Sequence, residues 1–449
     1  MFDESAGLTP SSQANSNMNH YSLNNLVALS ARLRSESLAL AEYLEHLETM
    51  FAEREPEILA FVPEEGRFER LRREAEILRR HFPEPLSRPL LFGIPVGIKD
   101  IFHVDGFTTQ AGSQVPAEVL QGKEAVSVTR LKEAGALILG KTITTEFAYF
   151  GPGPTRNPYN LEHTPGGSSS GSAAAVAAGL APLTLGTQTI GSINRPAAYC
   201  GIVGFKPSYG RVPTTGIIPL SASLDHVGQF TNTVAGAELV ASVLIPEWHL
   251  VIDKHRPVLG VPDGPYLEHT SSEGLVHFWA TIDRLEHAGY VIKVVPVMPD
   301  FEAIAARHAL IVDGEIAQHH AQWYGQFAAL YQGKTREHIE RGRTITVGQL
   351  ADALQGRFKL RAELMHVMDE YGLDLWLSPS APGTAPHGLE STGNPIMNLP
   401  WTHAGLPTLT IPSGFHEGLP LGLQLCGRWY TDEALLEWSD EIEQIITPW

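Results

Sequence analysis

From His163 through Asn194 the chain carries no Asp, Glu, Lys or Arg, and this uncharged stretch constrains the fold more than any other feature. Its length would cross a bilayer. However, Pro165, Gly166, Gly167, Gly171, Gly179, Pro182, Gly186 and Gly191 interrupt it, and hydroxyl side chains recur along it. A transmembrane helix is therefore not expected. In a globular chain such a stretch belongs inside, and its buried hydroxyls then need hydrogen-bond partners. The rest of the chain supplies the surroundings, since 43% of its 449 residues are hydrophobic.

Elsewhere short apolar runs alternate with helical periodicity, the rhythm of an α/β fold. PVGIKD (95–100) is followed by a helical pattern over Ala125 to Ala134, then by GALILG (135–140), then by a helix beginning at the Ser168–Ser172 cluster. Further strands are expected at VLGVP near 258, VIKVVPV near 291, LDLWLSP near 373, PTLTIPSG near 407 and LGLQLCG near 421. Leu275, Phe278, Trp279, Ile282 and Leu285 keep helical spacing up to a C-terminal Gly289, and 301–371 reads as mostly helical with breaks near Gly333 and Gly342. Within it, His319, His320, Trp323, Tyr324 and Phe327 fit packing better than metal or cofactor contact. Ser22–Glu53 and Phe68–His81 predict charged helices lying on a larger body. Residues 1–21 read as a poorly ordered tail, and 22–449 as one domain with a helical part (22–85) and an α/β core (86–449).

Charge narrows the function classes. With 32 Lys+Arg against 50 Asp+Glu the formal charge is -18, which disfavours nucleic acid or an anionic membrane as partner and leaves small molecules. Cys200 and Cys426 are the only cysteines, and no CxxC or His/Cys spacing suggests a disulfide framework, a metal or any other cofactor. The N-terminus lacks the basic and apolar regions of a signal peptide, so a cytoplasmic location is expected.

Three segments carry candidate chemistry. Gly93–Asp100 reads as a strand that ends by delivering Lys99, and burial there would lower its pKa far enough to make a general base. In Pro165–Ser172 the glycines and serines, followed by AAAVAA, fit an N-capped helix. They also fit a phosphate cradle, but the lysine that a P-loop requires is missing. In Thr189-Ile190-Gly191-Ser192 the glycine lets successive N–H groups converge on an oxyanion; a tight buried turn is the plainer reading. Lysine, serine and serine together suggest a serine hydrolase without a histidine.

These segments, with NPYN (157–160), CGIVGFKPSYGRVPTTGIIPLSASLDHVG from Cys200, GNPIMNLPWTHAGLPTLTIPSG and GLPLGLQLCG, resemble the amidase signature family of serine hydrolases over roughly Leu26 to Ile446. The resemblance implies an α/β fold with a mixed central β-sheet sandwiched by helices. It implies Lys99 as base, Ser168 as a relay joined to Gly167 by a cis peptide, and Ser192 as the acylated nucleophile. Backbone amides of Thr189, Ile190, Gly191 and Ser192 would form the oxyanion hole. Tyr149, Phe150, Trp401 and His403 fall in segments that line the substrate cleft of that family, and a homodimer is a family-level expectation. The implied activity is hydrolysis of a small or medium carboxamide, urea-like compounds included. Two alternatives stay open: the glutaminase-type subunit of a tRNA-dependent amidotransferase, and an inactive scaffold, against which retention of Lys99, Ser168 and Ser192 argues.

The chain departs from the family pattern at Gln188 for Asp, Ile190 for Gly, Asn194 for Arg and Ser170 for Gly. An ion pair bracing the nucleophile loop is expected to be replaced by a Gln188–Asn194 hydrogen bond, with Arg195 compensating. The alternative is two independent changes on a tolerant loop.

Overall fold

The computed structural model describes residues 25–252 and 255–447, so the tail expected over 1–21 lies outside the described residues. Ten strands form one sheet: β1 (Pro95–Lys99), β2 (Leu137–Thr142), β3 (Leu183–Gln188), β4 (Val203–Lys206), β5 (His226–Thr231), β6 (Leu259–Asp263), β7 (Ile292–Pro296), β8 (Leu375–Pro379), β9 (Thr408–His416) and β10 (Leu419–Cys426). Their order is β2-β1-β3-β5-β4-β9-β10-β8-β6-β7. The sheet is mixed: β2-β1-β3 and β8-β6-β7 are parallel, and the strands between them pair antiparallel. Every residue of β1, β2 and β3 is buried, as expected of strands covered on both faces.

The uncharged stretch supplies β3, third in this order, and the helix before it. Its helix Ser170–Ala177 is almost wholly buried, and small residues let it sit close to its neighbours: a Cβ on Gly171 would stand 2.1 Å from the Ala60 carbonyl oxygen. The buried hydroxyls are partnered. Ser172 Oγ donates to the Leu185 carbonyl (2.9 Å), Thr184 Oγ1 to the Ser172 carbonyl (2.8 Å) and Ser170 Oγ to the Gly166 carbonyl (2.9 Å).

Each expected strand is present, but β3, β4 and β5 go beyond the sequence reading. LTLGTQ, VGFK and HVGQFT each contain a glycine and lack a long apolar run, so tertiary pairing rather than local propensity makes them strands. The first charged helix is in fact two, Leu26–Arg34 and Leu40–Ile58, divided where Glu36 takes a positive φ of 61°. The 301–371 segment breaks at His320 as well as before Gly333 and after Gly342.

Candidate active site

Lys99 closes β1 with its side chain wholly enclosed, and its Nζ lies 2.7 Å from Ser168 Oγ and 2.8 Å from Thr187 Oγ1. Burial pushes the ammonium well below its ordinary pKa, and only the more distant Asp225 opposes this. Asp100, the adjacent carboxylate, is paired instead with Lys141 on β2 at 2.7 Å. An amine so placed is suited to hold a lone pair toward Ser168. The Gly167–Ser168 peptide is cis, as the resemblance implied.

The loop after β3 carries Ser192, which retains slight exposure (8%) where Ser168 retains 2%. Within the described residues the backbone N–H groups of Ile190, Gly191 and Ser192 have no hydrogen-bond partner, whereas those of Ile193 and Asn194 donate to Gln188 Oε1 at 2.7 and 3.0 Å. The Ile190 carbonyl accepts from Thr402 Oγ1 (2.7 Å), which turns that peptide so that the Gly191 N–H points the opposite way. Three free donors in succession are what a developing oxyanion requires.

Gly191 cannot carry a side chain here. A Cβ would meet Asn398 Oδ1 at 2.3 Å and Pro395 Cβ at 2.9 Å, and Asn398 is pinned through Nδ2 to the Ser380 carbonyl and Gln424. Gly191→Ala is therefore expected to displace the loop and lower kcat by about 10²- to 10³-fold, the scale of losing an oxyanion donor; steady-state kinetics on a hydrolysed amide would check it.

The predicted bracing exists. Gln188 Nε2 donates to Asn194 Oδ1 (2.8 Å) and Thr402 Oγ1 (2.9 Å), and Asn194 is further held by Thr408 and Thr410. A neutral network thus spans the loop where the family pattern has opposite charges. Arg195 contributes from the side: its guanidinium donates to the Gly167 carbonyl (2.6 Å), the Gly393 carbonyl (2.9 Å) and Thr392 Oγ1 (3.0 Å), joining the nucleophile loop to the peptide ahead of Ser168. Burial draws Arg195 down to about 10.

The substrate-contact expectations divide. Ala148, next to Tyr149, lines a pocket with Thr187, Ile217, Leu220 and Asp225, so the segment does reach the site. Tyr149 itself is tied by its hydroxyl to His338 Nδ1 (2.8 Å) and Asp313 (3.2 Å), and Phe150 stacks on His338 at 4.8 Å. Trp401 needs correction: it is fully enclosed against Tyr266 and Trp376 and gives its indole N–H to the Tyr266 hydroxyl, so it packs rather than lines a cleft. His403 is equally enclosed, but both its ring nitrogens lack hydrogen-bond partners among the described residues. His320 packs edge-on against Phe147, and Trp323 donates to the Val119 carbonyl.

Sequence reasoning gave no role to Thr187, Asp225 or Thr402. Thr187 lies inside the quoted motif, and recognising β3 would have placed it on the face toward Lys99. Asp225 accepts from Thr189 Oγ1 (2.6 Å) and from the Leu220 and Ser221 N–H groups, and its partial burial pushes its carboxyl up to about 6. No group of three or more His, Cys, Asp or Glu among the described residues could hold a metal, and no described helix is long and apolar enough to cross a membrane.

Comparison with known proteins accords with this geometry. The Amidase family model matches residues 65–436. A glutamyl-tRNA(Gln) amidotransferase subunit of Roseiflexus sp. (strain RS-1) is 32% identical, covering 94% of this chain and 96% of that protein. A crystal structure of an amidase superposes with a TM-score of 0.86 at 31% identity over 94% of this chain and 100% of the other. A peptide amidase bound to the competitive inhibitor chymostatin gives 0.82 at 26% identity, over 94% and 98%. The chain belongs to the amidase family, and its fold is the amidase signature fold.

Proposed function

We propose that this protein hydrolyses the C–N bond of small or medium carboxamides through Ser192, Ser168 and Lys99. The observation that carries the reading is the 2.7 Å contact between Lys99 Nζ and Ser168 Oγ, made by a lysine with no carboxylate partner among the described residues. Ser192 Oγ attacks the amide carbon while its proton passes to Ser168 Oγ and the Ser168 proton passes to neutral Lys99. The oxyanion is received by the N–H groups of the Thr189–Ser192 loop. Collapse expels the nitrogen, which takes the proton back along the same relay, leaving an acyl-Ser192 ester and neutral Lys99. Water then attacks the ester under the same base and releases the acid. We place the enzyme in the cytoplasm, acting on a small-molecule amide, as a homodimer without nucleic acid or membrane.

Relatives named as glutamyl-tRNA(Gln) amidotransferase subunits favour a second reading, in which the same centre releases ammonia from glutamine for partner proteins. Ammonia release from a panel of carboxamides, glutamine included, by the isolated chain separates the two: turnover of other amides without partners supports the first. The pH profile tests the base. Protonated Lys99 cannot accept a proton, so kcat should fall toward acid with a limb well below the ordinary lysine range. Absence of any acid limb down to the pH at which the protein unfolds, or a limb that stays in the ordinary lysine range, with chemistry rate-limiting, would contradict Lys99 as base.

A further inference from the structure

Six of the sixteen buried side-chain nitrogens and oxygens that lack a hydrogen-bond partner among the described residues fall in one cluster: both ring nitrogens of His308 and His403, Arg307 Nε and Arg357 Nη2. The two imidazoles stand 5.5 Å apart, and Arg357 Nε donates to the His403 carbonyl at 3.3 Å. A Cβ on Gly356 would lie 2.8 Å from Arg307 Nε and 3.7 Å from His403 Nε2, so the glycine keeps these groups in one space. Buried polar groups are normally partnered, and so many orphans together call for a polar partner.

The cluster adjoins the nucleophile loop. His403 follows Thr402, whose hydroxyl holds the Ile190 carbonyl at 2.7 Å, and the Thr189 carbonyl faces His308. Most of its orphaned groups are donors. Arg357 is 4% exposed, lies over the Tyr209 ring at 4.7 Å and has no carboxylate within ion-pair distance among the described residues. Glu315, which acts on it from further off, is occupied by Ser221 and Ser223. Arg307 gives Nη2 to Asp300 and keeps Nε toward the cluster. Burial holds both imidazoles neutral, drawing His308 down to about 3 and His403 to about 2, so each carries one N–H and one acceptor nitrogen, the N–H of His308 facing the Thr189 carbonyl. A buried guanidinium without a counter-charge is costly, and a carboxylate, which only accepts hydrogen bonds, matches the free donors of Arg357 and His403.

We propose that Arg357, His308 and His403 form a subsite for a carboxylate on the acyl half of the substrate amide. This rests on Ser192 being the nucleophile. The substrate class is then the monoamide of a dicarboxylic acid, and the subsite fixes its far end while the oxyanion loop holds the near carbonyl.

The test is calorimetric binding to Ser192→Ala protein, which needs no turnover, with succinamate and its neutral counterpart butyramide as probes. Succinamate is expected to bind at least about tenfold more tightly. That preference should fall to near unity when Arg357→Gln is added, and be partly kept with Arg357→Lys. His403→Leu, which removes donors without removing charge, should reduce it by a smaller factor. Equal or undetectable binding of the two probes, or a preference indifferent to Arg357→Gln in folded protein, would overturn the subsite. Neither result touches the nucleophile assignment, which is read separately by covalent labelling of Ser192.

Discussion

Replacing Lys99 with methionine is expected to lower kcat/KM by roughly 10⁴-fold or more, since members of a catalytic triad act as a unit and removing one forfeits most of their joint effect. Methionine keeps the length of the side chain and its burial, so the loss reports proton transfer rather than collapse of the site. The thermal midpoint should hold or rise, because a wholly enclosed amine without a carboxylate partner among the described residues contributes desolvation cost that an apolar chain does not. Activity within tenfold of wild type would remove Lys99 from the reaction. A large fall in stability would show that the contacts to Ser168 and Thr187 are chiefly structural.

Gln188→Leu is expected to destabilise the fold by about 3 to 5 kcal/mol, the scale of leaving several buried hydrogen-bonding groups without partners at about 1 to 3 kcal/mol each. The substitution orphans the buried N–H groups of Ile193 and Asn194, and takes one donor each from Asn194 Oδ1 and the Thr402 hydroxyl, which keep their bonds to Thr408 and to the Ile190 carbonyl. Denaturant unfolding measures the first part of the claim. A double-mutant cycle with Asn194→Ala measures the second, with a coupling above about 0.5 kcal/mol expected for residues in one network. Additive effects would mean that the two departures from the family pattern are independent.

The catalytic constellation was legible because its residues sit in short contiguous motifs: a strand that ends in Lys99, a glycine-serine cluster, and a loop with Gly191 before Ser192. The bracing of that loop was legible too, since Gln188 and Asn194 share one motif and their bond spans only six positions. What could not be read were relations across the chain. Strands β3 to β5 have no long apolar run of their own and are defined by the neighbours they pair with. Thr402 supports Ile190 from 212 positions away. Trp401 misled because adjacent residues of one short helix face different surroundings: its ring packs on Tyr266 and Trp376, while Thr402 touches the nucleophile loop.

The same loop explains why neutral residues suffice where the family pattern has charges. Gln188 Oε1 takes two backbone N–H groups and Gln188 Nε2 gives two hydrogen bonds, so the amide satisfies both ends of the turn without burying an ion. Arg195, one position beyond Asn194, supplies the cation but directs it to the Gly167 and Gly393 carbonyls. The loop and the Ser168 segment are thereby held as one unit.

The central claim is that Ser192 is an activated nucleophile, and intact mass after incubation with a fluorophosphonate probe tests it most directly. Wild-type protein should gain one phosphonyl adduct, and Ser192→Ala should gain none under the same conditions. Absence of an adduct on well-folded wild-type protein, or an adduct that persists in Ser192→Ala, would contradict the assignment.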